Sequence, residues 1–279
     1  MIQILHPGIY NTIQDTGRVG FAKIGVPTAG SLDSYSAELA NTILHNKKTA
    51  AVIEITFGQG KFEFTTATDL CVTGGDFSPK INSEPIAMNQ VYAIKKGAIL
   101  SFGKRNYGAR TYVAVVGGID SDIILGSRSF SAAITHQRLE KGDTLKILDT
   151  DLHQEKGFSR VKIHEKHFSS PILACFPGPE YELLNDLQKQ QLLASFSISE
   201  DNNRVGVRLK EAVKNSLESI LTSAVLPGTV QLTPSGKLIL LMRDCQVTGG
   251  YPRVLQLSET AISRLAQKIA GEEVQFVLR

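Results

Sequence analysis

Lys61-Phe62-Glu63-Phe64-Thr65 alternates polar and aromatic side chains without a break. Successive residues of an extended chain point to opposite faces, so both phenylalanines share one side and the segment reads as a half-buried strand. The same reading spreads outward from it. Ala51 to Thr56, Ala98 to Phe102, Thr111 to Val116, Thr144 to Leu148 and Leu238 to Met242 are β-branched or aliphatic runs of strand length. Each is bounded by Gly, Asp or Lys-Gly. Met1 to Pro7 forms another short strand, stopped by its proline. With 24 Gly and 10 Pro as punctuation, the chain is mainly β with a few helices. Many short strands separated by turns make barrels or sandwiches, not a wound α/β sheet.

Three helices interrupt the strands. Asp33 caps one reaching about His45, with Tyr35, Leu39, Ile43 and Leu44 on its apolar side. Pro179, at a first-turn position, opens a second with Leu183, Leu184 and Leu187 inward. Ser258 opens a third, with Ile262, Leu265, Ala266 and Ile269 as its stripe and Gly271 at its end.

A chain of 279 residues, 42% hydrophobic and 20% charged, is long enough for two domains with full cores. The segment from about 149 to 170 is polar, weakly patterned and rich in Lys and His. It reads as the crossing between a domain over 1–165 and a second over 166–279. His164 and His167 fall in it and read as solvated, since two imidazoles alone make no metal site. A short echo, Cys71-Val72-Thr73-Gly74-Gly75 against Cys245-Gln246-Val247-Thr248-Gly249-Gly250, hints at related halves.

Charge narrows the function classes. A formal net charge of +3, with basic residues in isolated pairs such as Lys47-Lys48, gives no stripe to follow a phosphate backbone. Apolar runs stay far below the roughly 20 residues a spanning helix needs, and the first residues lack a signal-peptide pattern. Cys71, Cys175 and Cys245 are an odd number set in apolar stretches, hence buried free thiols suited to a reducing cytoplasm. Neither nucleic acid nor membrane is expected as a partner. A small molecule is.

Phosphate-binding glycine loops and the nucleophile-elbow pattern are absent from the sequence. What stands out is polar residues set among glycines. Gln14-Asp15-Thr16-Gly17-Arg18 precedes Gly25-Val26-Pro27 and Gly30-Ser31-Leu32-Asp33. Glycines let backbone N–H groups approach a ligand, and Asp15 and Arg18 fix either a polar group or each other. Gly126-Ser127-Arg128-Ser129 presents an arginine suited to a carboxylate or phosphate. Asp244 sits at a strand end before Thr248-Gly249-Gly250-Tyr251-Pro252. Loops over a β scaffold are where sites sit.

Together with Ala40-Asn41, Glu54 and Gly117-Gly118-Ile119-Asp120, these segments in this order resemble the KipA family. That family is the second half of biotin-dependent carboxyltransferase domains. It includes the C subunit of bacterial ATP-dependent 5-oxoprolinase and is similar to part of the carboxyltransferase region of urea carboxylase. Two departures stand out. Phe130 leads into Ser131-Ala132-Ala133 where the family has Thr and a glycine-rich stretch, and Ala270-Gly271-Glu272-Glu273 replaces a Pro-Gly-Asp turn.

The resemblance implies two cyclophilin-like β-barrel domains in a cytoplasmic hetero-oligomer whose other members are a KipI-like B subunit and an A subunit. It implies ATP-dependent opening of 5-oxo-L-proline to glutamate, with Mg²⁺-bound ATP held here or by a partner chain. Opening an unactivated lactam requires donors around developing charge. Asp15, Arg18, Arg128 and Asp244 are the catalytic candidates; Gly30, Asp33, Thr248, Gly249, Gly250 and Tyr251 are the substrate-binding candidates. No metal ligand set is expected. Two alternatives stay open. One is a carboxyltransferase that needs biotin on a partner. The other is a non-enzymatic regulator that binds its KipI-like partner to relieve inhibition of a kinase.

Overall fold

The computed structural model describes residues 1–132, 134–135, 138–148 and 166–279. Most of the expected interdomain crossing, His164 included, lies outside these residues. The chain forms two units: Met1–Arg18 with Ala29–Phe168, and Val19–Thr28 with Ser169–Arg279. The division therefore falls three residues beyond the expected 165, and a short early segment groups with the later unit.

The first unit holds two sheets. Seven strands run in the order Ile119–Asp120, Thr144–Ile147, Ile2–Pro7, Gly60–Phe64, Ala98–Ser101, Lys80–Ile81, Glu84–Pro85. Five more run Tyr10–Gln14, Val52–Thr56, Tyr107–Val115, Thr68–Asp76, Val91–Ile94. Ile2, Ile4, Phe62 and Phe64 of the first sheet share a core with Ile53, Ile55, Val113 and Val115 of the second. The alternate residues of the second sheet, Val52, Cys71, Tyr112 and Ala114, pack instead against Ala37, Ala40 and Leu44. That sheet is covered on both faces, which is why its strands are continuous apolar runs and do not alternate.

The second unit is a closed barrel. Its strands follow the order Ile172–Pro177, Arg253–Leu257, Thr229–Leu232, Lys237–Leu241, Gly206–Ala212, Ser195–Asn202, Glu273–Leu278. Ile172–Pro177 pairs in parallel with Glu273–Leu278, and closure removes free edges. Val230, Leu232, Leu238 and Leu240 are fully buried and occupy alternate positions of their strands. Mainly β structure with few helices is what the alternation and turn signals required.

Helix details differ from expectation. Asp33 does cap Ser34–Ile43, accepting from the Ser36 backbone N–H, but the buried face is Ser36, Ala37, Ala40 and Asn41, and Tyr35 is exposed. The helix expected at Pro179 is replaced by a single 3₁₀ turn, Tyr181–Leu183, and a helix over Asp186–Leu192. Asn185 and Gln188 form a reciprocal capping box there, and Leu183 and Leu187 point to solvent while Leu184 and Leu192 are buried. Ser258 caps the third helix as expected, but the helix spans Glu259–Leu265 and stops six residues before the expected Gly271, leaving Ile269 outside it; Gly271, at φ +85°, lies in the turn into the last strand. The echo is not structural: Cys71–Gly75 lies inside a buried strand, whereas Cys245–Gly250 is a turn ending in a two-residue strand. All three cysteines are buried and unbridged, and burial pushes the Cys71 and Cys245 thiols up to about 12 and Cys175 to about 11. No helix among the described residues is long and apolar enough to cross a membrane.

Candidate functional site

In the first unit the polar loops hold each other. Asp15 Oδ1 accepts from the Gly17 N–H at 2.8 Å and from the hydroxyls of Ser127 and Ser129 at 2.6 and 2.5 Å. Its Oδ2 accepts from the Arg128 N–H at 2.7 Å. Arg18 is 2% exposed and donates to the Ile124 and Ser129 carbonyls. Asp15 and Arg18 both clasp the segment 124–129. Gly30, at φ +94°, lies so close to the Thr16-Gly17 backbone that a Cβ would stand 3.1 Å from the Gly17 nitrogen. Its glycine serves chain-to-chain packing. Arg128 bonds the Asp120 carboxylate at 2.9 Å and the Ser121 carbonyl, at the edge of a hollow of about 130 Å³.

Asp33 stands in a buried chain of polar groups. Its Oδ2 meets the Ser36 hydroxyl at 2.6 Å and His167 Nε2 at 3.0 Å. The Asp33 N–H donates to the Tyr112 hydroxyl, which donates to Glu54 Oε2, each at 2.8 Å. Glu54 also accepts from the Leu32 N–H. Burial, then the carboxylates of Glu54 and Asp33, hold the Tyr112 phenol well above its ordinary value, so it stays protonated and donates. His167 is thus not the solvated residue expected; it is 6% exposed and stacks beside Tyr35 and Phe168.

In the second unit, both oxygens of Asp244 bind Arg204: Oδ2 to Nε at 2.8 Å and Oδ1 to Nη2 at 2.9 Å. The carboxylate expected to orient substrate or nucleotide is one half of a fork-to-fork pair that positions a turn. Beyond that pair, Gly249, Gly250 and Tyr251 border a cavity of about 250 Å³. Thr248 and Gly249 pair with Ser223–Ala224; Gly249 roofs the cavity, and Thr248 is not part of its lining. The floor is the outer face of three barrel strands, carried by Arg208, Gln231, Ile239 and Leu241. These lie at alternate positions to the inward Val207, Val230, Leu238 and Leu240. A Cβ on Gly249 would stand 2.5 Å from Gln231 Nε2, so this glycine is what lets the roof descend.

The model of the carboxyltransferase domain, subdomains A and B, matches residues 24–278. The chain belongs to that family. As a member of the carboxyltransferase domain family it is 31% identical to the 5-oxoprolinase C subunit of Escherichia coli, covering 99% of this chain and 91% of that one. The C subunit of the same name from Haemophilus influenzae is 28% identical over 99% and 90%. The urea amidolyase of Kluyveromyces lactis superposes on 99% of this chain with a TM-score of 0.89 at 27% identity, yet the match spans only 18% of that longer protein.

Sequence reasoning missed Gln231, Arg208 and Asn203, which line the same cavity as Tyr251. Thr229-Val230-Gln231-Leu232 does alternate, and a polar residue at an outward strand position ordinarily means solvent. Gln231 is 1% exposed because the turn carrying Gly249 folds over it. Asp15, Asp33 and Asp244 are all engaged in protein contacts.

Proposed function

We propose that this chain is the C subunit of an ATP-dependent 5-oxoprolinase and that it supplies binding and positioning within a complex. The observation that carries this reading is similarity along the full length: 99% of this chain is matched to 91% of the Escherichia coli C subunit. A reaction that opens a lactam with ATP needs a phosphate site. ATP with its Mg²⁺ is held by this chain or by a partner, a KipI-like B subunit or an A subunit, in a hetero-oligomer. This chain's own residues bind a small substrate and keep its surroundings ordered. The test is co-expression with both partner chains and an assay for glutamate released from 5-oxo-L-proline. Release that requires ATP and all three chains is expected. Turnover by the purified single chain, or none by the complex, would remove the reading.

A second reading has its own support. The match to the carboxyltransferase domain and the superposition on urea amidolyase favour carboxyl transfer from biotin to an amide-like acceptor. This chain carries no biotin-attachment motif, so a biotinylated partner would deliver the group. Carboxylation of an amide by a complex containing this chain and a biotin carboxylase would favour it over the lactamase.

A further inference from the structure

We propose that the cavity over Gln231 is a binding site for a small carboxylate that also carries an amide or lactam carbonyl. Four observations point to this chemistry. Gln231 Nε2 is buried, has no hydrogen-bond partner among the described residues, and belongs to a residue that lines the cavity. An amide N–H₂ enclosed without an acceptor is costly, and a carbonyl oxygen entering the cavity would remove that cost. Among the described residues, Arg208 is the one charged member of the lining, and no carboxylate accompanies it there. Its bond to Asp201, at 2.8 Å, is made between side chains 44% and 64% exposed. A pair so open to water holds weakly, and the guanidinium keeps further donors for an anion. Ile239 and Leu241 give the floor an apolar strip, and Tyr251 an aromatic edge, for a short ring or chain. Finally, about 250 Å³ suits a ligand of about ten heavy atoms.

One donor for a carbonyl, one cation for a carboxylate and an apolar strip between them define the ligand class. The choice of lactam probe rests on the 5-oxoprolinase reading; the site itself does not. Asn203 stiffens one wall, since its Oδ1 accepts from the Val205 and Gly206 N–H groups at 2.8 and 3.1 Å and fixes the turn beside the cavity.

The experiment uses the full chain and direct binding, with no partner and no ATP. Calorimetric titration is carried out with 5-oxo-L-proline, with L-proline, which lacks the ring carbonyl, and with 2-pyrrolidone, which lacks the carboxylate. Binding of 5-oxo-L-proline at least about tenfold tighter than either is expected. Gln231→Leu should cost about tenfold for 5-oxo-L-proline and leave L-proline unchanged; tenfold corresponds to about 1.4 kcal/mol, near the worth of one hydrogen bond. Arg208→Ala, at an exposed position, should cost 5-oxo-L-proline about tenfold and leave 2-pyrrolidone unchanged. Should Gln231→Leu fail to fold, Gly249→Ala tests the same point by crowding Nε2. No binding to the wild-type chain, or binding indifferent to Arg208 and to the Gln231 or Gly249 change, overturns the site. A chain that binds in this way within a complex that releases no glutamate keeps the site and removes the 5-oxoprolinase reading. A complex that turns over while the chain alone binds nothing does the reverse.

Discussion

Asp244 and Arg204 meet through two parallel bonds of 2.8 and 2.9 Å, with side chains only 11% and 7% exposed. The Asp244 N–H also donates to the Arg204 carbonyl, so the contact joins two turns through backbone and side chain together. Removing one partner of a buried charge pair typically costs about 3–5 kcal/mol. Asp244→Asn keeps the shape and one acceptor oxygen but loses the charge. We expect it to lower stability by about 3 kcal/mol in chemical denaturation, with any loss of complex activity following the loss of folded chain. An unshifted denaturation midpoint alongside lost turnover would return Asp244 to a direct role. The sequence placed Asp244 and Asp15 correctly beside glycine-rich turns. It did not reveal that other residues of the chain already occupy their oxygens, because the partners Arg204 and Ser127 lie 40 and 112 positions away.

Elements are held by their ends, and two of these ends make predictions. Asn185 caps Asp186–Leu192, accepting from the Gln188 N–H at 2.9 Å while the Gln188 side chain accepts from the Asn185 N–H at 2.9 Å. Asn185→Ala should cost about 1 kcal/mol in a denaturant titration, and a neutral result would mean that packing of Leu192 alone holds the helix. The second end is the approach to the barrel strand Arg253–Leu257. Glu180 accepts from the Arg253 N–H at 2.8 Å and from its guanidinium at 2.9 and 2.7 Å. Hydrogen bonds from Arg253 hold the Glu180 carboxyl below the ordinary range, against a smaller opposing effect of burial. A lowered folded-state value means stability that is present above the unfolded glutamate value of about 4.3 and lost as pH falls through the folded one. Glu180→Gln should therefore melt below wild type at pH 7, and the gap should close as pH drops below about 4. Thermal melts across about pH 3–7 check this; a gap of constant size would assign the effect to shape and not to charge. Strands were legible because alternation and apolar runs survive without context. The helix Asp186–Leu192 starts later than the sequence reading has it, because Pro179 draws the start to itself although Asn185 and Gln188 already spell the capping box.

At the scale of the whole chain, the two units take their residues from different stretches than a single cut would give. His167 and Phe168 lie beyond the expected boundary but pack in the first unit, where His167 binds Asp33 and Phe168 stacks on Tyr107. A boundary drawn from composition could not see that contact, since it joins positions 134 apart. Every strand of the closed barrel, from Ile172–Pro177 to Glu273–Leu278, falls after residue 169. Closure by the pairing of first and last strands leaves this stretch without an open edge, and its core residues Leu173, Leu232, Leu240, Val254 and Phe276 are all supplied from within it. Residues 169–279 expressed alone are therefore expected to fold and to melt in one cooperative transition. Their midpoint should lie below that of the same fragment carrying residues 19–28 joined ahead of it, because Val19–Thr28 groups with this unit. Circular dichroism melts of the two fragments, with amide dispersion in an NMR spectrum of each, provide the comparison. A fragment of 169–279 without a transition would show that the barrel's closed hydrogen-bonding ring and internal core are insufficient. Equal midpoints for the two fragments would show that residues 19–28 add nothing to it.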